Sequence, residues 1–185
     1  KVHGTDLNIL SKSRLIRPNL RFTMRRAAAV VGTSQALVDV AIGLGANPNR
    51  SRVIMNGIDR ELFFVRDREA CRRQLDQPVD GKILLYLGRV EKEKGALDLL
   101  NAFARISPSH PDVRLVMVGD GNARPTCEQI AREKSLPAFF AGSRPHHEVP
   151  LWLGACNVMT LPSWAEGTPN VVLEALASGR RVVAS

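Results

Sequence analysis

The sequence predicts an α/β fold in which a parallel β-sheet is covered by helices on both faces. Two patterns carry this prediction: short apolar runs without polar residues inside them, and amphipathic stretches at helical spacing between those runs. Strands that are buried on both faces have this uninterrupted apolar character. With 185 residues, 44% of them hydrophobic, the chain is long enough for one domain and part of another.

The N-terminal third predicts a strand at residues 28–32, a helix at 36–44 and a strand at 52–55. Ser34 is placed to cap this helix and Gly45 to end it. The following residues, Asn56-Gly57-Ile58-Asp59, have the composition of a turn. We therefore expect a domain boundary here, with residues 1–60 closing one domain and residues 61–185 forming the next.

Basic side chains are concentrated near the N-terminus, and the net charge of +8 favours an anionic partner. Apolar residues such as Leu15 and Phe22 lie among these cations. The segment is therefore either a surface that rests on acidic lipid headgroups or a solvated helix face. Pro18 interrupts the helical pattern in this interpretation. The cations are Lys12, Arg14, Arg17, Arg21, Arg25 and Arg26.

The remaining sequence alternates regularly between strand and helix patterns. Predicted strands lie at 83–87, 113–118, 138–141, 158–161 and 182–184, and predicted helices at 96–106, 128–134, 149–155 and 169–178. Parallel sheets bind ligands beyond the carboxyl ends of their strands. The loops that follow Leu87, Val118 and Leu161 are therefore the candidates for a binding site.

The loop after Leu161 leads into a helix start with two glutamates around it. Thr168 is suited to cap this helix and Pro169 to be its first residue. The N–H groups of Asn170 and Val171 would then face outward, where the helix dipole favours an anion.

Glu166 precedes this helix start, and Glu174 lies about a turn and a half inside the helix. Carboxylates accept hydrogen bonds from hydroxyls, so each could hold one end of a diphosphate ester that carries polyhydroxylated groups. A nucleotide sugar has this shape. The alternative is a surface glutamate beside an ordinary helix residue, since a carboxylate before a helix is favourable without a ligand.

The other two loops contain glycines and cations. Gly88 allows close approach of the backbone to a ligand, and Arg89 and Lys94 are cations that suit a diphosphate. An ordinary charged loop is equally consistent with these residues. The loop with Gly119 and Gly121 lacks the third glycine of a dinucleotide fingerprint, so it is either a nucleotide contact or a tight turn.

Taken together, residues 82–185 resemble the C-terminal nucleotide-binding domain of retaining glycosyltransferases of family 4, which have the GT-B arrangement of two Rossmann-like domains. Upstream segments resemble the same family, and within it the chain is most similar to enzymes of surface-polysaccharide synthesis. The motifs that carry the resemblance are Gly88-Arg89, Lys94-Gly95, Val118-Gly119-Asp120-Gly121, Leu161-Pro162-Ser163, Glu166-Gly167, Glu174-Ala175, His3-Gly4-Thr5-Asp6 and Asn56-Gly57-Ile58-Asp59.

The resemblance implies a role for each matching side chain. Arg89 and Lys94 would bind the donor diphosphate and stabilise the leaving group. Glu166 would hold sugar hydroxyls and Glu174 the ribose, while His3 would face the donor sugar from the N-terminal domain. The positions whose backbone would lie close to the donor are Gly88, Gly119, Gly121, Gly167, Thr168, Asn170 and Val171.

The implied reaction is sugar transfer from a UDP- or GDP-sugar to a glycan or lipid-linked acceptor, with retention and without a metal or other cofactor. Fixed cations and a helix start would stabilise the departing diphosphate. We expect a cytoplasmic protein, peripheral on the inner face of the membrane, with no nucleic-acid partner. His146 and His147 are interpreted as surface residues, and the scattered cysteines as reduced thiols.

Two alternatives remain open at this point. A nucleotide-sugar epimerase of the same architecture would turn over donor without an acceptor, and a non-catalytic module would bind donor only. The chain starts at Lys1 and stops at Ser185 after an apolar run. We therefore expect a fragment that includes the end of the acceptor domain and a donor domain truncated at its end, and that is inactive alone. Arg181 and Asn157 depart from the family pattern, which usually has proline and aspartate there.

Overall fold

The computed structural model describes residue 13, residues 15–164, residue 166 and residues 169–185. These residues form two compact units. The first contains the described residues up to Gly57 together with Glu166 and Pro169. The second runs from Ile58 to Trp164 and continues from Asn170 to Ser185. The boundary that we predicted between residues 60 and 61 stays a prediction.

The first unit contains helix α1 (Arg17–Arg26), strand β1 (Val30–Gly32), helix α2 (Gln35–Gly43) and strand β2 (Ser51–Val53). Strands β1 and β2 pair in parallel. The hydroxyl of Ser34 accepts a hydrogen bond from the N–H of Leu37, which confirms the predicted cap of α2. The buried apolar residues of this unit are Met24, Val30, Leu37, Ala41, Leu44 and Ala46.

The second unit is built on a five-stranded parallel sheet with the strand order β5-β4-β3-β6-β7. Its strands are β3 (Lys82–Leu87), β4 (Val113–Val118), β5 (Ala138–Gly142), β6 (Val158–Leu161) and β7 (Arg181–Ala184). Its helices are α3 (Arg68–Gln74), α4 (Ala96–Ile106), α5 (Arg124–Glu133), α6 (Val149–Ala155) and α7 (Asn170–Ala177). The position of β3 between β4 and β6 brings three connecting loops to one edge of the sheet.

Both faces of this sheet are covered by apolar side chains, which confirms the predicted Rossmann-like fold. Successive residues of β3 point to opposite faces, so Leu85 packs with residues of α6 and α7, and Tyr86 packs with residues of α4 and α5. Trp152 and Ala175 belong to the first of these clusters, and Phe103 belongs to the second. The loops at the carboxyl edge therefore extend from a well-packed frame.

Two helices depart from the sequence interpretation. The charged stretch before β3 contains α3, which was not predicted; it begins after Asp67, whose carboxylate accepts a hydrogen bond from the N–H of Ala70. Pro18 was expected to interrupt a helix but lies in the first turn of α1. Proline is compatible with that turn because its missing N–H has no partner within the helix there.

Helix α3 is held to the amino ends of the strands by Arg72, which is only 2% exposed. Its guanidinium donates to the carbonyl oxygen of Ala155 at 3.0 Å, to that of Gly81 at 3.1 Å and to Oδ1 of Asn157 at 2.8 Å. The same Oδ1 atom accepts from the N–H of Ile83 at 2.9 Å. Asn157, one of the two departures from the family pattern, thus joins α3, β3 and the start of β6.

The three cysteines of the chain are free thiols, and all are buried. Burial raises the pKa of Cys71 above its ordinary value, and raises that of Cys127 and of Cys156 to about 11. A thiol with a pKa in this range is almost fully protonated at neutral pH and is therefore unreactive.

Candidate functional site

The loop that follows β3 carries both predicted cations. The N–H of Gly88 donates to the carbonyl oxygen of Val118 at 3.0 Å, which continues the pairing of β3 with β4 beyond the end of the strands. Arg89 is exposed, and its Nη1 atom lies 2.7 Å from Oε1 of Glu91. Lys94 is partly buried at the end of a short 3-10 turn. The two cations therefore begin and end the same loop.

Main-chain hydrogen bonds connect this loop to the loop that follows β4. The N–H of Val90 donates to the carbonyl oxygen of Asp120 at 2.9 Å, and the carbonyl oxygen of Val90 accepts from the N–H of Ala123 at 3.0 Å. The N–H of Gly121 donates to Oδ1 of its neighbour Asp120 at 2.8 Å. The two loops thus form one continuous layer of backbone at the carboxyl edge of the sheet.

Gly119 makes this close approach possible. Its φ angle is +134°, and a Cβ atom at this position would lie 1.9 Å from the carbonyl oxygen of Gly88. Any side chain here would collide with main-chain atoms of the adjacent loop, which a rotamer change does not relieve. The sequence interpretation left open whether this glycine serves a tight turn or a ligand contact, and the geometry shows that it permits the contact between loops.

The loop that follows β6 also packs directly on the loop after β3. Gly95 has a φ angle of +69°, and a Cβ atom there would lie 1.8 Å from the carbonyl oxygen of Pro162. Two residues further along the chain, the N–H of Trp164 donates to the carbonyl oxygen of Glu93 at 3.0 Å. The loop with Arg89 and Lys94 is therefore held between the loops that follow β4 and β6.

Glu174 lies on α7, the helix that follows β6. Its side chain is 13% exposed, and the next residue, Ala175, is fully buried in the apolar cluster. Burial raises the pKa of the Glu174 carboxyl group above its ordinary value of 4.5, and the nearby imidazole of His146 opposes that effect. The carboxylate is thus partly desolvated, which strengthens any hydrogen bond that it accepts.

His146 is the residue near this carboxylate that the sequence interpretation missed. It was interpreted, with His147, as a surface residue; both are exposed, but Nε2 of His146 lies 3.7 Å from Oε1 of Glu174. Its ring meets that of Phe63 edge to face, with 5.6 Å between centroids. The signal that could have found it is its position between β5 and α6, since this connection also starts at the carboxyl edge.

The remaining predicted site residues fall into three groups. Asn170 and Val171 are the first two residues of α7, so the helix begins one residue later than predicted. Glu166 is exposed and belongs to the first unit. His3, Gly167 and Thr168 lie outside the described residues. The functional roles given to all of these residues stay predictions.

The second unit therefore presents two cations on a loop that is held by its neighbours, and an acid on the helix α7. Arginine and lysine at one edge suit a diphosphate, and the start of α7 places the positive end of a helix dipole at that edge. A partly buried carboxylate on the same helix suits hydroxyl groups. In the described part of the chain, no group of three or more His, Cys, Asp and Glu side chains is placed to hold a metal ion.

The described residues also contain no helix whose length and apolar character would let it cross a membrane.

The sequence matches the family described as glycosyl transferases group 1 over residues 67–185. The glycosyltransferase TuaC assigned to teichuronic acid biosynthesis in Bacillus subtilis (strain 168) is 31% identical over 179 residues, which cover 95% of this chain and 43% of that protein. A D-inositol 3-phosphate glycosyltransferase of Corynebacterium aurimucosum is 32% identical over 167 residues, which cover 84% of this chain and 40% of that protein. The chain thus spans well under half the length of these relatives.

Solved structures show the same fold. The crystal structure of Anabaena Alr3699/HepE in complex with UDP-glucose matches with a TM-score of 0.79 at 28% sequence identity, over 96% of this chain and 51% of that one. Sucrose-phosphate synthase from Thermosynechococcus elongatus matches with a TM-score of 0.81 at 25% identity, over 100% of this chain and 48% of that one.

The family match covers more than half of the chain and contains the loops after β3, β4 and β6 together with α7. The relative named for teichuronic acid biosynthesis agrees with the resemblance to glycosyltransferases that the motifs predicted. The chain belongs to the group 1 family of glycosyl transferases.

Proposed function

We propose that the full-length protein transfers a sugar from a nucleoside-diphosphate sugar to a glycan or lipid-linked acceptor, and that the second unit is its donor-binding domain. The observation that carries this proposal is the linkage of three loops at the carboxyl ends of β4, β3 and β6. The structural neighbour that was crystallised with UDP-glucose supports a donor of this class.

In this proposal, Arg89 and Lys94 bind the donor diphosphate. Charge develops on the diphosphate as its bond to the anomeric carbon breaks, and cations that are already in place stabilise that charge without reorganisation. The loop around them is held on both sides by main-chain contacts, so these cations extend from a fixed backbone. The N–H groups of Asn170 and Val171 at the start of α7 would add to the same stabilisation.

The two acids would bind the hydroxyl groups at either end of the donor. Glu174 accepts hydrogen bonds from the ribose, and Glu166 from the transferred sugar. His3 would face that sugar from the other domain. We further propose that the enzyme belongs to family 4, that transfer proceeds with retention, and that no metal ion takes part; residues 1–60 would be the end of the acceptor domain.

The donor site is tested by titrating the full-length protein with UDP- and GDP-sugars in a calorimeter. Lys94→Ala and Glu174→Ala should each abolish detectable binding. Lys82→Ala is the matched control, because Lys82 lies at the start of β3, at the opposite end from the loop that carries Lys94. Its side chain is exposed and lies 2.9 Å from the carboxylate of Asp112. If Lys94→Ala and Glu174→Ala bind the donor as tightly as the Lys82→Ala variant, the proposed site is wrong.

Product analysis separates this activity from the two alternatives. A transferase consumes donor only when the acceptor is present and forms a new glycoside. A nucleotide-sugar epimerase would yield an altered nucleotide sugar without an acceptor, and a binding module would leave the donor unchanged. The anomeric configuration of the product, read by NMR, tests retention.

We also propose that α1 rests on a membrane surface with acidic headgroups, on the cytoplasmic side. Phe22 is 58% exposed and Leu15 is 89% exposed, and Arg21, Arg25 and Arg26 lie around Phe22 in a groove of about 370 Å³. Arginines attract anionic headgroups while the apolar side chains enter the interface. In a sedimentation assay, vesicles with about 30% phosphatidylglycerol, a proportion that gives a negative surface, should carry the protein into the pellet. The double variant Arg21→Glu with Arg25→Glu should remain in the supernatant.

A further inference from the structure

Trp164 is an exposed aromatic residue whose polar contacts are with the loop after β3 and with the helix that follows that loop. The chain has two tryptophans; Trp152 is 3% exposed within the apolar cluster, whereas Trp164 is 58% exposed. An indole with this exposure gains little from burial, so packing alone does not explain its fixed position.

Three contacts hold Trp164 in place. Its indole N–H donates to Oδ2 of Asp98 at 2.8 Å, and its main-chain N–H donates to the carbonyl oxygen of Glu93 at 3.0 Å. The ammonium group of Lys92 lies 5.7 Å from the centroid of its ring, within the range of a cation–π interaction. All three partners come from the loop after β3 or from the helix that follows that loop.

The indole bond to Asp98 is the strongest of these contacts. Asp98 lies in the first turn of α4, where the helix dipole favours a negative charge. A hydrogen bond to an ionised carboxylate is shorter and stronger than one between neutral groups. The bond also joins segments that are far apart in the sequence, so it fixes Trp164, in the loop after β6, to the first turn of α4.

The position of this bond gives it a functional meaning. Glu93, the main-chain partner of Trp164, directly precedes Lys94, one of the two cations proposed to bind the donor diphosphate. We propose that Trp164 and Asp98 are positioning residues that fix the first residues of the loop after β6 against the loop after β3 and the start of α4 before a nucleotide sugar binds. This inference rests on the proposed function, because the loops need a fixed spacing only if they bind one ligand.

The expected effect follows from preorganisation. When two loops are already fixed, the ligand does not have to order them, and the ordering cost does not reduce its affinity. Loss of the indole–carboxylate bond should therefore weaken the affinity for a UDP-sugar by about tenfold. The overall fold should be unaffected, since the bond lies at the surface and the apolar clusters are unchanged.

The test uses paired variants of the full-length protein. Trp164→Phe keeps an aromatic ring but removes the indole N–H that donates the hydrogen bond. Asp98→Leu keeps the approximate side-chain size but removes the carboxylate that accepts it. Asp98→Asn retains an acceptor oxygen and should rescue binding. The double variant Trp164→Phe with Asp98→Leu should bind no more weakly than either single variant, because both remove the same bond.

The readouts are UDP-sugar affinity, Tm and the NMR signal of the Trp164 indole N–H. We expect this signal to shift in Asp98→Leu and to remain near its original position in Asp98→Asn, with or without a ligand. If the unaltered protein binds no nucleotide sugar, the proposed function fails, and the functional part of this inference fails with it, whatever the NMR signal shows.

If the unaltered protein binds a UDP-sugar and both single variants bind it as tightly as the unaltered protein does, the positioning role is overturned while the proposed function stands. The positioning role is also overturned if the variants lose affinity and Asp98→Asn does not restore it. It is overturned as well if affinity is lost only in variants whose Tm is lower. Tenfold weaker binding with an unchanged Tm and rescue by Asp98→Asn supports it.

Discussion

The Nε2 atom of His146 lies 3.7 Å from the Oε1 atom of Glu174. The two residues come from different connections, His146 from the short turn before α6 and Glu174 from α7, and they meet because both helices pack on the same apolar cluster. The carboxylate proposed to bind the ribose thus has an imidazole as its neighbour.

Glu174→Gln should make the protein more stable at pH 7. Burial raises the pKa of this carboxyl group in the folded state, so the fold favours the protonated form, and its stabilising contribution is lost as the pH rises through that pKa. The variant removes a desolvated charge, and we expect its Tm to be higher by about 1 to 4 °C at pH 7. The difference should disappear well below pH 4.5, the ordinary pKa of glutamate, where the side chain is protonated in both states. A lower Tm for the variant at pH 7 would contradict this account.

His146→Ala should raise the pKa of Glu174 further. The imidazole lowers this pKa electrostatically, since 3.7 Å between Nε2 and Oε1 is too long for a hydrogen bond, and the variant leaves only the effect of burial. Titration of the Glu174 carboxyl carbon by NMR measures the change. His147→Ala is the matched control, since it alters the adjacent exposed histidine; an equal effect of both variants would show that the contact with Glu174 is unimportant.

Gly119→Ala should disrupt the contact between the loops after β3 and β4. The new Cβ atom would lie 1.9 Å from the carbonyl oxygen of Gly88 at a φ angle of +134°, and we expect a loss of about 2 kcal/mol or more in the free energy of unfolding. Gly43→Ala is the control, because a Cβ atom at Gly43 meets nothing within 4 Å. Urea unfolding measures the free energy of unfolding of both variants. Equal values for Gly119→Ala and Gly43→Ala would contradict the proposed collision.

Asn157→Asp should stabilise the second unit. The Oδ1 atom of Asn157 accepts from Arg72 at 2.8 Å, and a carboxylate would give this buried guanidinium a counter-charge worth about 1 kcal/mol. Asn157→Leu should cost about 2 to 4 kcal/mol, because it leaves Arg72 and the N–H of Ile83 without this acceptor. Chemical denaturation measures both. The role of Asn157 as an acceptor for Arg72 is wrong if Asn157→Asp and Asn157→Leu change the free energy of unfolding by the same amount.

Apolar periodicity predicted the sheet of the second unit well. The strands at residues 113–118 and 158–161 and the helix at 149–155 match the observed elements end to end, because their buried side chains dominate the pattern. Helix α3 was missed for the opposite reason: the side chains that it buries are Cys71 and Arg72. A buried arginine that donates to main-chain carbonyl groups has no apolar signature in the sequence.

The candidate site was predictable as far as chain topology determines it. Loops that follow adjacent parallel strands must lie at one edge, so the proximity of the Arg89 loop to the loop after β6 follows from the strand order. The contacts of His146 with Glu174 and of Trp164 with Asp98 depend instead on how helices pack and how loops turn. No local pattern encodes these distances, and so the sequence alone did not reveal them.

The burial of all three thiols of this chain makes it convenient for optical measurements. A cysteine introduced at the exposed position of Asn122, next to the loop of Gly121, would be the reactive site for a maleimide dye, so the native cysteines would not have to be replaced first. A fluorophore attached there would sit beside the proposed donor loops and could report the arrival and departure of a nucleotide in real time.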